Sequence, residues 1–219
     1  MNMYSSFAPG DGLSSSVCIY YTHIDAFLDL PGLSLLTEER RKRLFRYRKQ
    51  EDRARCLAAG LLLRQIAKNE PEKTVCGKPY FPRGPQFNIS HSGDYILLAV
   101  AHEEVGVDVE VHQAYDMRIA HRCFSPAELA WMRRQEDGTG AFYTLWTAKE
   151  CIMKATGEGF RMPPETFEVD VIRALGLDAH GRRWHLTWSR LPNHTVCVGC
   201  GNPSADIRMT KCGIKELLK

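Results

Sequence analysis

Apolar positions along the chain alternate between two periods, and the switches mark out a set of elements. Val17 to Tyr21 is an apolar run of strand length. Thr37 followed by Glu38 and Glu39 has the form of a helix start, with a hydroxyl cap and acids at the positive end of the dipole. Between Glu51 and Lys68 the residues Cys56, Leu57, Ala59, Leu62, Leu63 and Ile66 recur at helical spacing, and Asn69 to Thr74 breaks the pattern. Gly77 to Phe81 reads as a turn feeding an extended segment, Phe87 to Gly93 as a strand end, and Tyr95 to Ala101 as the return strand of a hairpin. In Gly106-Val107-Asp108-Val109-Glu110 the two acids share one face of a strand and the two valines the other. Gln113 to Cys123 has no strong period. Ser125-Pro126-Ala127-Glu128 opens a helix with a cap, a proline and a capping-box acid. Ala141 to Thr156 is a second long helix, with Leu145, Ile152 and Met153 for the core. Strands near 167–171, 184–188 and 194–199 and a short helix at 214–218 complete the chain. A long helix, a glycine turn and antiparallel strands thus occur twice, at 51–101 and 141–199, which predicts an α+β fold with a weak internal repeat.

Composition narrows this only a little. With 219 residues, 44% of them hydrophobic, a sizeable core is expected, and a net charge of +3 is too small to imply a nucleic-acid binder. No stretch reaches the apolar length of a membrane span. Met1 to Ser16 lacks the layout of a secretory signal, and its serines, glycines and proline predict a flexible tail. A cytoplasmic protein is expected. Its eight cysteines are scattered in mostly apolar contexts, as reduced thiols would be. Cys197 and Cys200 have redox or zinc spacing but lie in a strand-like run rather than at a helix start, so no functional role is assigned to them.

Candidate chemistry gathers in three places. Glu150 and Lys154 stand four apart on one helical face, with Trp146 a turn before them. Taken singly, Asp108, Glu110, Glu150 and Lys154 read as solvated surface. Together with Lys149, they could hold a hard cation against a phosphorylated ligand, because magnesium favours a few carboxylates plus phosphate oxygens. The run from Arg40 to Lys49, with Leu44, Phe45 and Tyr47 interleaved, is either a solvated helix or a dock for a dense anion. Ser90 and His91 offer hydrogen-bond donors to a phosphate.

In order and spacing, GVDVE, FSPAE (124–128) and WTAKECIMKATG (146–157), with GKP (77–79) and FNISHSG (87–93), resemble the signature of the 4'-phosphopantetheinyl transferases of the surfactin-synthetase-activating (Sfp) type. The resemblance runs from the basic helix near Arg40 to the C-terminus. Cys151 departs from it, standing where the family more often has serine or alanine. The fold implied is two similar α/β subdomains related by a pseudo-twofold, with coenzyme A in the cleft between them. The chain would divide into a tail (1–16), an N-terminal subdomain (17–105) and a C-terminal subdomain (106–219). The reaction implied moves the 4'-phosphopantetheine of coenzyme A to a serine of an apo acyl or peptidyl carrier protein and releases adenosine 3',5'-bisphosphate. Asp108, Glu110 and Glu150 would hold Mg²⁺, with Glu150, Lys154 and Asp108 as the catalytic groups. Arg40, Arg43 and His91 would meet the 3'-phosphate of coenzyme A, and Lys78, Pro79, Ser90, Lys149 and Lys154 the rest of it. A monomer that binds neither nucleic acid nor membrane is expected. Gln113 to Cys123 either docks the carrier, through Tyr115, Met117 and Ile119 with Arg118 and Arg122 at the rim, or is a loop whose apolar residues pack back onto the core. Another Mg²⁺-dependent phosphoryl or nucleotidyl transferase would use the same acids. A nucleic-acid module would explain the basic run but not the acids.

Overall fold

Thr37 caps as its place before two acids predicts: its hydroxyl accepts the Arg40 N–H at 3.2 Å. The computed structural model describes residues 16–219. The expected tail lies outside them except for Ser16, which opens β1 (Ser16–His23). From Thr37 runs α1 (Glu38–Leu44), followed by α2 (Gln50–Arg64). A small hairpin, β2 (Glu72–Lys73) and β3 (Pro79–Tyr80), leads to the larger one of β4 (Gln86–Ser92) and β5 (Tyr95–Ala101), and then to β6 (Val105–Val111). Three helices follow: α3 (Met117–Cys123), α4 (Pro126–Arg133) and α5 (Gly138–Thr156). The rest is β7 (Glu168–Asp170), β8 (Leu175–Leu177), β9 (Arg183–Leu191), β10 (His194–Cys200), β11 (Asp206–Lys211) and α6 (Ile214–Leu217).

Two main sheets carry the fold, ordered β11-β1-β5-β4 and β6-β10-β9-β8-β7. Strand alternation sorts their side chains into separate cores. On β5, Ile96, Leu98 and Val100 pack toward the α2 leucines Leu57, Leu61 and Leu62, all fully buried. Leu97 and Ala99 face the other way, with Val107 and Val109 of β6 and Val196 and Val198 of β10, in a core shared by the two sheets. A third core gathers Leu145, Ile152, Trp184 and Leu186 around α5. Each valine, leucine and isoleucine among them contributes about 1.5–3 kcal/mol by leaving water. With Val107 and Val109 facing the shared core, Asp108 is turned toward α5. Gly106 fixes the approach there, because a Cβ at that position would lie 2.2 Å from the Cys151 carbonyl oxygen.

Besides the short strands β2 and β8, which were not expected either, two elements differ from the expected ones. Gln113 to Cys123 is not a bare loop: Asp116 caps α3 by accepting the Arg118 N–H, and Ala120 and Cys123, one turn apart, face inward. Strand β11 was not foreseen, although Ile207 and Met209 alternate with polar neighbours. It pairs parallel to β1, from Ser16 opposite Asp206 to Tyr21 opposite Lys211. Cys212 and Leu217 then join the core around α2. The end of the expected C-terminal subdomain, 106–219, therefore packs with the first sheet rather than the second. All eight cysteines are free. Among the described residues, no helix is long and apolar enough to cross a membrane.

Candidate active site

The two sheets meet at the edges of β4 and β6, and the acids sit on that seam. Asp108 is 1% exposed, and its Oδ1 accepts from Ser90 Oγ at 2.9 Å and Lys154 Nζ at 2.5 Å. Its Oδ2 is buried without a partner, the one such side-chain atom among the described residues. Glu110 Oε2 accepts from Ser92 Oγ at 2.7 Å. Glu150 and Lys154 reach the same place from α5. Burial lifts the Asp108 carboxyl above its ordinary pKa, against the pull of Lys154. Burial and the neighbouring Asp108 lift Glu110, which Ser92, Lys154 and Trp146 partly offset. Burial, then Asp108 and Glu110, push Glu150 up to about 7, with Lys154 opposing. The Lys154 ammonium loses hydration by burial, but the three acids around it more than compensate and raise its pKa.

Among the described residues, no three His, Cys, Asp or Glu side chains enclose a metal-binding position as they stand. The acids nonetheless suit a hard cation. One buried carboxylate oxygen lacks any partner, and Asp108 raises the pKa of both Glu110 and Glu150 around a single lysine. Such a group is short of positive charge.

Beside it, a cleft of about 230 Å³ is lined by Lys78, Pro79, Asn88, Glu150, Met153 and Lys154. Lys78 donates to the Ala155 carbonyl at 2.6 Å, near the C-terminal end of α5. His91 is exposed at the end of β4. The surrounding protein, then the cations of Lys154 and Arg55, hold its pKa below the usual value. Arg55, not singled out in the sequence, donates to the Gly93 carbonyl at 2.9 Å and to Asp52 at 2.7 Å. Its signal was only a basic residue on the first turns of α2. A larger cavity of about 850 Å³ lies between α4 and the β7–β8 edge and touches none of Asp108, Glu110, Glu150 or Lys154.

Three expected ligand contacts are corrected by the geometry. Arg40 is 6% exposed and bound two-pronged to Glu70, with Nη2 to Oε2 at 2.7 Å and Nε to Oε1 at 2.8 Å, so it is buried and its Nε/Nη2 edge is already taken. Arg43 touches the same carboxylate at 3.2 Å but keeps 37% of its side chain in solvent. Lys149 lies on the far face of α5. Its ammonium donates to Glu128 at 2.9 Å, to the Pro164 carbonyl at 2.9 Å and to the Phe167 carbonyl, and it is fully buried. Ser90 is buried, and its one hydroxyl is used up by Asp108, Lys154 and the Val109 N–H. Asp108, Glu110, Glu150 and Lys154 do come together, with Lys78 and Pro79 beside them.

The family profile of the 4'-phosphopantetheinyl transferase superfamily matches residues 104–205. The 4'-phosphopantetheinyl transferase Sfp of Bacillus subtilis (strain 168) is 28% identical over an alignment covering 85% of this chain and 91% of that one. A second 4'-phosphopantetheinyl transferase of Bacillus subtilis is 33% identical over 63% of this chain and 67% of its own length. Among solved structures, the Thermotoga maritima holo-[acyl-carrier-protein] synthase overlaps 44% of this chain and 61% of its own, with 17% identity and a TM-score of 0.35, too slight an overlap to bear on the argument.

Proposed function

This chain belongs to the 4'-phosphopantetheinyl transferase superfamily, and on that premise we propose how its residues carry the reaction. The enzyme transfers the 4'-phosphopantetheine of coenzyme A to a serine of an apo carrier protein. The serine oxygen forms a bond to the phosphorus that bears the pantetheine. The bond from that phosphorus to the leaving phosphate breaks, and adenosine 3',5'-bisphosphate departs with the electron pair. The observation that carries the reading is the meeting of Asp108, Glu110, Glu150 and Lys154 on one seam beside a cleft lined by Lys78 and Pro79.

Glu150, the acid that lines the cleft, takes the serine proton, directly or through a water. Lys154 faces the charge that develops on the leaving phosphate. Asp108, through its free Oδ2, with Glu110 and Glu150, would hold the divalent cation. Mg²⁺, when bound there, supplies charge neutralisation to the pyrophosphate oxygens. Lys78 and His91 grip coenzyme A, with Arg43 as the exposed cation of the basic helix for its 3'-phosphate. The carrier docks on α3, where Met117 and Ile119 stand in solvent, 39% and 42% exposed. Eight free thiols suit a reducing cytoplasm.

The test is the intact mass of apo acyl and peptidyl carrier proteins after incubation with coenzyme A and Mg²⁺. A gain of one phosphopantetheine is expected with wild type and none with Asp108→Ala, whose circular dichroism should stay native. Wild-type turnover in Asp108→Ala would remove that carboxylate from the site.

A further inference from the structure

Where a backbone ladder would join two strands of one sheet, β4 and β6 are joined by side chains. Asn88, Ser90 and Ser92 stand two apart and so share a face of β4. Each accepts an N–H of β6 at the matching two-residue step: Val107 to Asn88 Oδ1 at 3.1 Å, Val109 to Ser90 Oγ at 3.2 Å and Val111 to Ser92 Oγ at 3.2 Å. Each also passes a bond onward into the site. The Asn88 amide donates to the Lys154 carbonyl at 3.2 Å, Ser90 to Asp108, and Ser92 to Glu110. The seam that holds the two sheets edge to edge is therefore also the scaffold of the acids.

Ser92 makes two such bonds, one of them to an acid. A serine hydroxyl has one proton to give. With the Val111 N–H filling one lone pair, the proton is turned toward Glu110 Oε2, 2.7 Å away. The chain N–H to O–H to carboxylate is polarised along its length, which strengthens the bond at the acid. Glu110 is a long side chain whose rotamers would otherwise be free at a half-buried edge. We propose that Ser92 is a positioning residue that holds the Glu110 carboxylate ready for a divalent cation. This rests on the reading of Asp108, Glu110 and Glu150 as the metal-holding acids.

The test reads cation binding rather than turnover. Mn²⁺ uptake by the full chain, loaded with coenzyme A and without carrier protein, is followed by electron paramagnetic resonance. Wild type should take up Mn²⁺ and Asp108→Ala should not; no uptake by wild type overturns the metal reading and this proposal with it. Given uptake, Ser92→Ala should weaken Mn²⁺ binding about tenfold, as loss of an outer-shell partner does, and Ser92→Thr should return most of the affinity. Coenzyme A affinity, measured without metal, should not change. Mn²⁺ affinity equal to wild type in Ser92→Ala, with only a lower melting temperature, assigns Ser92 to the seam alone and overturns the proposal. Should Ser92→Ala not fold, Ser92→Cys, which keeps the shape but is a poorer hydrogen-bonding group, takes its place with the same two outcomes.

Discussion

Glu150 should write its environment into the stability of the metal-free protein. Its carboxyl titrates near 7 in the fold against an ordinary 4.5, so between those values the native state binds more protons than the unfolded chain. Stability then falls as pH rises from about 4.5 to about 7 and stays low above that. In chelator, Glu150→Gln should therefore be more stable than wild type at pH 8, by on the order of 1–3 kcal/mol, and melt higher, and the two should converge below pH 5. Parallel melting curves across that window would mean Glu150 is not held up by its neighbours. The basic helix divides at the same scale. Arg40→Ala breaks a buried pair with Glu70 and should cost about 3 kcal/mol in urea unfolding. Arg43→Ala should leave stability nearly unchanged and narrow the preference for coenzyme A over dephospho-coenzyme A. An unchanged preference would give Arg43 another task. The sequence made the acids legible because alternation on a strand and a four-residue step on a helix fix faces directly. It could not tell Arg40 from Arg43, since the carboxylate that claims Arg40 lies thirty residues on, in a segment with no periodic pattern.

Helix α5 shows what an element adds. Lys149 and Glu150 are neighbours in sequence, and at 3.6 residues per turn they cannot both face the cleft. Its core residues could be read from the sequence, but its rotation was decided elsewhere. Ser125 and Glu128 form the expected capping box on α4, with the Ser125 N–H donating to Glu128 at 2.7 Å. The other Glu128 oxygen then accepts from the Val169 N–H at 2.7 Å and from Lys149. One acid thus ties α4, β7 and the far face of α5, and the opposite face is left to Glu150 and Lys154. Lys149→Met should destabilise by about 3–5 kcal/mol because it strands a buried carboxylate, and adding Glu128→Gln should recover part of that. Chemical denaturation of the two variants checks this. A Lys149→Met protein of native stability with a raised KM for coenzyme A would put the lysine back at the cleft. The missed helix, α3, is only seven residues long, too short for a hydrophobic period to emerge from its sequence.

At the scale of the whole molecule, two sheets share one valine-rich core and one seam of side chains, and the chain crosses between them more than once. The β4–β5 hairpin and β6 follow one another in sequence, which made their neighbourhood legible. The return of β11 to β1 joins positions nearly the length of the chain apart, and no local pattern encodes such a pairing. The surface proposed for the carrier is likewise a property of the assembled molecule. Tyr115 stacks on Phe142 at 4.2 Å, and Phe142 stacks on Trp146 at 6.1 Å, so the segment that leads into α3 is coupled by aromatic contact to the face of α5 that carries Glu150. Ala120 and Cys123 anchor α3 inward, while Met117 and Ile119 remain in solvent. Arg118 is tied to Asp116 at 2.6 Å, which leaves Arg122 as the freer cation for an acidic carrier. Met117→Glu places a like charge against such a partner and removes an apolar contact, so it should raise the KM for the carrier about tenfold. The KM for coenzyme A and the melting temperature should not move, because Met117 touches neither the cleft nor the core. A lower melting temperature with the carrier KM unchanged would make α3 part of the core and put the docking surface on another face.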